Sequence, residues 1–192
     1  MTQLILASTS PYRRELLLRL GVPFACERPG VDEGAVKRAL GEPLAVVREL
    51  AKQKALAVAR RFPTAVVIGS DQAATIDGTM LDKPGTAANA IAQLARLQGR
   101  AHTLLTAVAI AHPRGLVEFV DTTTLTMRAL ATAELERYVA SEQPLDCAGS
   151  YKIEALGITL FERVTSDDQT AIQGLPLLRL CRELRALGFA LP

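Results

Sequence analysis

The first part of the chain alternates short apolar runs with stretches of helical spacing, and this restricts the fold more than any other feature. Leu4–Ala7 reads as a buried strand, and PYRRELLLRL after it as a helix. PFACE reads as a second strand and RPGVDEG as a loop. Over Leu44–Arg60 the apolar residues Leu44, Val47, Leu50, Ala51, Ala55 and Val58 keep near-helical spacing, which predicts a helix. AVVIGSDQAATI reads as a buried strand that runs into polar residues, followed by another strand. The middle of the chain has a different character. Asp77-Gly78 marks a turn, a helix runs from about Ala87 between Thr86 as cap and Gly99 as stop, and two strands read as a hairpin around HPRG. A helix over Ala133–Ser141, a strand at GITLFERVTS and an amphipathic helix at PLLRLCRELRALG complete the chain. Alternating strands and helices followed by a hairpin predict an α/β fold with a mixed β-sheet. No repeat, low-complexity segment or linker interrupts residues 1–192, so a single domain is expected.

Charge and cysteine usage narrow the function classes. The 22 basic and 20 acidic groups leave a net charge of +2, too balanced for a general nucleic-acid binder. A locally positive site is compatible with that total. Cys26, Cys147 and Cys181 are scattered and form no CxxC pair, which suits reduced thiols and a cytoplasmic protein. Two histidines make a His/Cys zinc site a poor expectation. No charged leader precedes Leu4, and the apolar run LLTAVAIA falls far short of the ~20 residues of a spanning helix. No membrane partner is expected.

The stretch STSPYRR poses an electrostatic problem. Ser10 is placed to cap the helix and Pro11 to open it. Arg13 and Arg14 then fall in the first turn, where the positive end of the helix dipole opposes each by up to about 1 kcal/mol. A bound polyanion would outweigh that repulsion. Other polar residues gather where strands meet loops: Asp32 and Glu33 after the second strand, Asp71 and Gln72 after VVIGS, and Lys83 in DKPG. Ligands of open α/β sheets bind at strand ends. Arginine, lysine and carboxylate together there suit phosphate chemistry, with cations on the phosphates and carboxylates holding a divalent metal or positioning water. Taken singly, each residue has a plainer reading: Asp71 as a turn residue, Arg13 and Arg14 as a solvated face, Asp167-Asp168 as a loop acid pair.

Taken in order, ASTSPYRRELL, VDE, AKQKA, IGSDQ, DKP, GRAHTLLTAV, CAGSYKIE and QGLP resemble the signature segments of the Maf family of nucleotide pyrophosphatases, from Leu4 to about Leu187. The resemblance implies a two-lobed mixed sheet with a central cleft, related to the inosine-triphosphate pyrophosphatases. It implies hydrolysis of nucleoside triphosphates between the α and β phosphates with a divalent metal, Mg²⁺ or Mn²⁺. Asp71 matches the proton acceptor, and Arg13, Arg14, Lys54 and Lys83 match the basic residues on the triphosphate. Glu33 matches the acidic residue near metal and phosphates, so Glu33 and Asp71 are the expected metal ligands. Ser8 and Ser10 match the phosphate-cradling loop. Relatives of this kind are commonly homodimers.

Three positions bear on the base. Tyr12, Gln72 and Glu154 stand where the dTTP/UTP subgroup typically has Arg, Thr and Gln, and together they resemble the subgroup acting on 7-methyl-GTP. Tyr12 stands where that subgroup is associated with Trp, and YKIE lies between the two subgroup patterns. N7-methylation makes guanine cationic, so an aromatic face attracts it. A carboxylate at Glu154 can accept hydrogen bonds from guanine N1–H and the exocyclic amine. A pair between Glu154 and Lys152 is the plainer alternative. The competing functions are a pyrophosphatase for dTTP, UTP or another modified nucleotide, and a non-catalytic nucleotide sensor linked to cell division.

Overall fold

The computed structural model describes residues 2–191 and has the mixed α/β architecture the alternation predicts. Its strands are β1 Leu4–Leu6, β2 Ala25–Cys26, β3 Val66–Ile76, β4 Thr79–Leu81, β5 Ala101–His112, β6 Gly115–Met127 and β7 Phe161–Thr165. The helices are α1 Pro11–Leu18, α2 Glu33–Leu40, α3 Pro43–Ala59, α4 Ala87–Leu97, α5 Thr132–Glu142 and α6 Leu177–Ala186, with 3-10 turns at Leu156–Leu160 and Gln169–Gln173. Strand order is β2-β1-β3-β5-β6-β7, with β4 paired to β3. β1 runs parallel to β2 and β3, with Leu4 opposite Val66. β3 with β4, and β6 with β7, are antiparallel.

The chain forms two compact units: residues 2–72, 106–121 and 168–191 make unit 1, and residues 73–105 and 122–167 make unit 2. In unit 1, α1 and α6 pack on the sheet through Leu16, Leu17, Leu177, Leu180 and Leu184, against Leu4, Leu6, Val66, Ile68, Val108 and Ile110. In unit 2, α4 packs on α5, and His102, Tyr151 and Phe161 form a buried aromatic cluster. No helix among the described residues is long and apolar enough to cross a membrane.

Most expected elements form. Ser10 caps α1 with its side chain accepting from Arg13 N, and Thr86 caps α4 in the same way. Asp77 and Gly78 both take positive φ, 52° and 72°, as the tight β3–β4 turn requires. Three expectations are corrected. VDEG is not all loop: Asp32 accepts from Ala35 N at 3.0 Å and starts α2. SDQ does not break the strand, and β3 is continuous through Asp71 and Gln72, whose polar side chains find partners inside unit 1. GITL is a 3-10 turn, and the strand begins only at Phe161.

Candidate active site

One glycine sets the spacing on which the site depends. A Cβ on Gly69 would lie 2.3 Å from the Ala51 carbonyl oxygen and 2.5 Å from Ala55 N. Only a residue without a side chain lets β3 press this closely on α3. Lys54, between those contact points on α3, is thereby laid against β3. Its Nζ donates to Asp71 Oδ1 at 2.6 Å. The same ammonium lies 2.6 Å from Glu33 Oε1. Lys54 is 6% exposed and Asp71 9%, whereas Glu33, in the first turn of α2, leaves half its side chain in solvent.

Arg13 is the second cation. It leaves the first turn of α1, and its Nε donates to the Gly174 carbonyl at 3.2 Å. A guanidinium carries five N–H donors, so this anchor uses one and leaves four N–H groups on the terminal nitrogens for other acceptors. Burial pulls the Arg13 pKa down, and the charges of Asp71 and Glu33 oppose that pull. These carboxylates supply part of the counter-charge that the dipole argument calls for. Asp71 moves the other way: burial pushes its pKa up, and Lys54 and Arg13 hold it back. The result is a buried carboxylate more basic than usual, flanked by two cations and a second carboxylate.

The α1 turn is preorganised. Ser8 Oγ is buried and accepts from Ser10 N at 3.1 Å, and Ser10 Oγ accepts from Arg13 N at 3.4 Å. Arg14 is exposed, Tyr12 half-buried, and Lys52 points outward toward Glu49. Gln72 Nε2 faces Thr106 Oγ1 at 2.8 Å and the carbonyls of Ala171 and Ile172 at 2.8 and 3.1 Å. Lys83 and Glu154 belong to unit 2 and are both exposed. Lys152 donates to the Glu142 backbone carbonyl at 3.0 Å, and among the described residues Glu154 takes part in no ion pair. Asp168 is a structural acid: it is buried and accepts from Thr170 N, Thr170 Oγ1 and Leu178 N at 2.9, 2.6 and 2.7 Å.

Unit 1 therefore brings Arg13, Glu33, Lys54 and Asp71 into one ionic cluster, with Ser8 and Ser10 ordering the turn that carries Arg13. Sequence reasoning missed Ser70, Thr106 and Gly174, which tie the Gln169–Gln173 turn to this cluster. The available signal was a serine and a threonine embedded in apolar runs. A family model described as Maf-like protein matches residues 3–187. The chain belongs to the Maf family.

Among curated relatives, a 7-methyl-GTP pyrophosphatase of Xanthomonas campestris pv. campestris (strain 8004) is 53% identical over 194 residues, covering 100% of both chains. Another of that name, from Albidiferax ferrireducens, is 47% identical and covers 97% of this chain and 94% of its own. Two solved structures share the fold at low identity. A nucleoside-triphosphatase / dITP/XTP pyrophosphatase of Mycobacterium abscessus has a TM-score of 0.52 at 16% identity, with 97% of each chain covered. The Ham1 protein of Staphylococcus aureus has a TM-score of 0.54 at 14% identity, covering 96% of this chain and 100% of that one.

Proposed function

We propose that this Maf protein hydrolyses nucleoside triphosphates between the α and β phosphates, releasing pyrophosphate, and that 7-methyl-GTP is its preferred substrate. The observation that carries the reading is the buried Asp71 carboxylate held between Lys54 and Arg13. Full-length relatives named for this activity support it.

Asp71 takes the proton of the attacking water as the new P–O bond forms and the α–β bridging bond breaks. Its burial-raised pKa makes it a better base than an exposed aspartate. Arg13 and Lys54 hold phosphate oxygens and offset charge on the departing pyrophosphate. Lys54 can serve both partners, because its ammonium has three N–H donors. Glu33 and Asp71 share one cation, Lys54, and such paired hard oxygens also suit Mg²⁺ or Mn²⁺. Among the described residues no cluster of three or more His, Cys, Asp or Glu could hold a metal. That fits a Mg²⁺ held by one or two carboxylates, with substrate phosphate and water filling the rest. Such an ion would neutralise charge on the phosphates. Ser8 and Ser10 keep the α1 turn in place for the anion. Tyr12 is the stacking residue for a cationic base. The roles given to Arg14, Lys83 and Glu154 rest on the resemblance of the YRR, DKP and SYKIE segments.

Pyrophosphate release from 7-methyl-GTP, GTP, dTTP, UTP and CTP with Mg²⁺ or Mn²⁺ tests the reading. Preference for 7-methyl-GTP over GTP supports both class and base. Preference for pyrimidines overturns the base assignment alone, and no release from any of them favours a sensor. Asp71→Asn should retain nucleotide binding and lose about 10²–10⁴ in turnover, the span of general-base catalysis. Full activity in that variant would remove Asp71 as the base.

A further inference from the structure

Glu142 stands at an awkward place. It is the last residue of α5, where the negative end of the helix dipole opposes a carboxylate. Yet its side chain is held, and only 16% of it is exposed. Its Oε2 accepts from Leu156 N at 3.1 Å, and its Oε1 lies 3.7 Å from Lys152 Nζ. Nζ also donates to the Glu142 backbone carbonyl at 3.0 Å, so one lysine offsets both the carboxylate and the helix end. About one turn earlier on α5, the Oη of buried Tyr138 accepts from Lys152 N at 3.0 Å. Helix α5 thus grips the chain at Lys152 and again at Leu156, all within unit 2.

Between these two points the chain folds back on itself. The Lys152 carbonyl accepts from Ala155 N at 3.2 Å and from Gly157 N at 3.0 Å. Only glycine permits that closure, because a Cβ on Gly157 would lie 2.3 Å from the same oxygen. Glu154 sits exposed in the turn so formed, while Lys152, its plainer partner, is directed at α5. A carboxylate on a mobile loop loses much of its binding energy to the entropy of being ordered. A turn pinned at both ends has already given up that freedom. We infer that Glu142 is a positioning residue for Glu154: by pinning the 152–156 turn to α5 it sets base selectivity without touching the nucleotide. Tyr138 is the second pin. The inference rests on the proposed role of Glu154 as an acceptor for the base.

The test compares kcat/KM for 7-methyl-GTP and GTP, a ratio that is blind to any loss of folded enzyme because both substrates meet the same enzyme. Glu154→Ala sets the scale and should lower the ratio about fivefold, the size of an exposed charge interaction. Glu142→Leu should reproduce most of that fall. In the Glu154→Ala background Glu142→Leu should leave the ratio almost unchanged, because a residue acting through Glu154 has nothing left to position. Binding of inorganic tripolyphosphate, which has no base, should stay within about twofold of wild type in Glu142→Leu. An unchanged ratio in Glu142→Leu, an equal fall with and without Glu154, or a fivefold loss of tripolyphosphate affinity would each overturn the inference. Tyr138→Phe keeps the buried ring, removes the acceptor for Lys152 N and should lower the ratio in the same direction. It carries the test if Glu142→Leu does not fold. If wild type does not discriminate between the two nucleotides, or Glu154→Ala leaves the ratio unchanged, the base assignment fails and takes this inference with it. A fall in Glu154→Ala that neither Glu142→Leu nor Tyr138→Phe shares refutes the inference alone.

Discussion

Acidification should unlock unit 2 through a single histidine. His102 is 2% exposed, and burial holds its pKa at about 4 against 6.5 for a free histidine. The reason is visible in the packing. His102 Nε2 lies 3.0 Å from Tyr151 Oη, while Nδ1 is buried with no partner. We assign the neutral ring the Nε2–H tautomer, since the alternative would bury an unmatched N–H at Nδ1. Protonation must then place a charged donor where nothing accepts it. The folded pKa lies below the unfolded one, so the unfolded chain binds more protons between them. Stability is therefore fully present above pH 6.5 and is lost as pH falls toward 4. At about 1.36 kcal/mol for each pH unit between the two values, the loss comes to about 3 kcal/mol. Urea unfolding from pH 7.5 to pH 4 on wild type and His102→Phe measures it. The phenyl ring keeps the stack on Tyr151 and Phe161 but cannot titrate. It forfeits the Tyr151 hydrogen bond at every pH, so the slope is diagnostic and the offset is not. Wild type should lose about 3 kcal/mol more than the variant across the range. Parallel curves would refute the argument. So would a His102 NMR titration centred near 6.5, readily read in a chain with two histidines.

Other perturbations follow from the same geometry. Lys54→Met should destabilise the protein by about 3 kcal/mol, because Asp71 is left buried without its direct partner; adding Asp71→Asn should recover part of the loss in urea unfolding. Gly69→Ala drives a methyl group into the α3 backbone, at the upper end of overpacking costs of about 1–3 kcal/mol. Differential scanning calorimetry should show a melting temperature lower by roughly 6–12 °C. Turnover should fall too, since the Lys54–Asp71 spacing depends on that approach. Ser10→Ala removes a long cap bond of 3.4 Å and should cost about 0.5–1 kcal/mol, with weaker nucleotide binding as the α1 turn loosens.

Local rules were enough wherever a side chain serves its own element. Ser10, Thr86 and Asp77-Gly78 cap or turn the chain through contacts a few residues away, and all three were legible. The resemblance points to Lys54 as a triphosphate contact, and the structure shows what sets it apart from its neighbour on the same helix: Lys54 faces β3 and Lys52 faces Glu49. What stayed hidden depends on partners distant in sequence. SDQ looked like a strand end because two polar residues in a buried strand need hydrogen bonds, and these come from α3 and from the Gln169–Gln173 turn. The helix at Glu33 was masked by its Pro- and Gly-rich surroundings and by having one buried residue, Val36, although Asp32 and Glu33 form a usable start signal. GITL has strand-like composition, yet a Cβ on Gly157 would sit 2.3 Å from the Lys152 carbonyl. That folded-back backbone leaves no room for an extended chain.

The buried face of α6 has a consequence for how the protein is made. Leu177, Leu180 and Leu184 complete the same core as Leu4 and Leu6, so the opening strand cannot reach its final environment until the far end of the chain has been translated. At about 5–20 residues per second the wait is on the order of 10–40 s. During that interval Arg13 has no Gly174 carbonyl to hold it and the apolar face of α1 lacks its cover. The nascent chain thus exposes the apolar side of α1 to other chains, and a premature stop before Leu177 would leave Leu4, Leu6, Leu16 and Leu17 without the three leucines that complete their core.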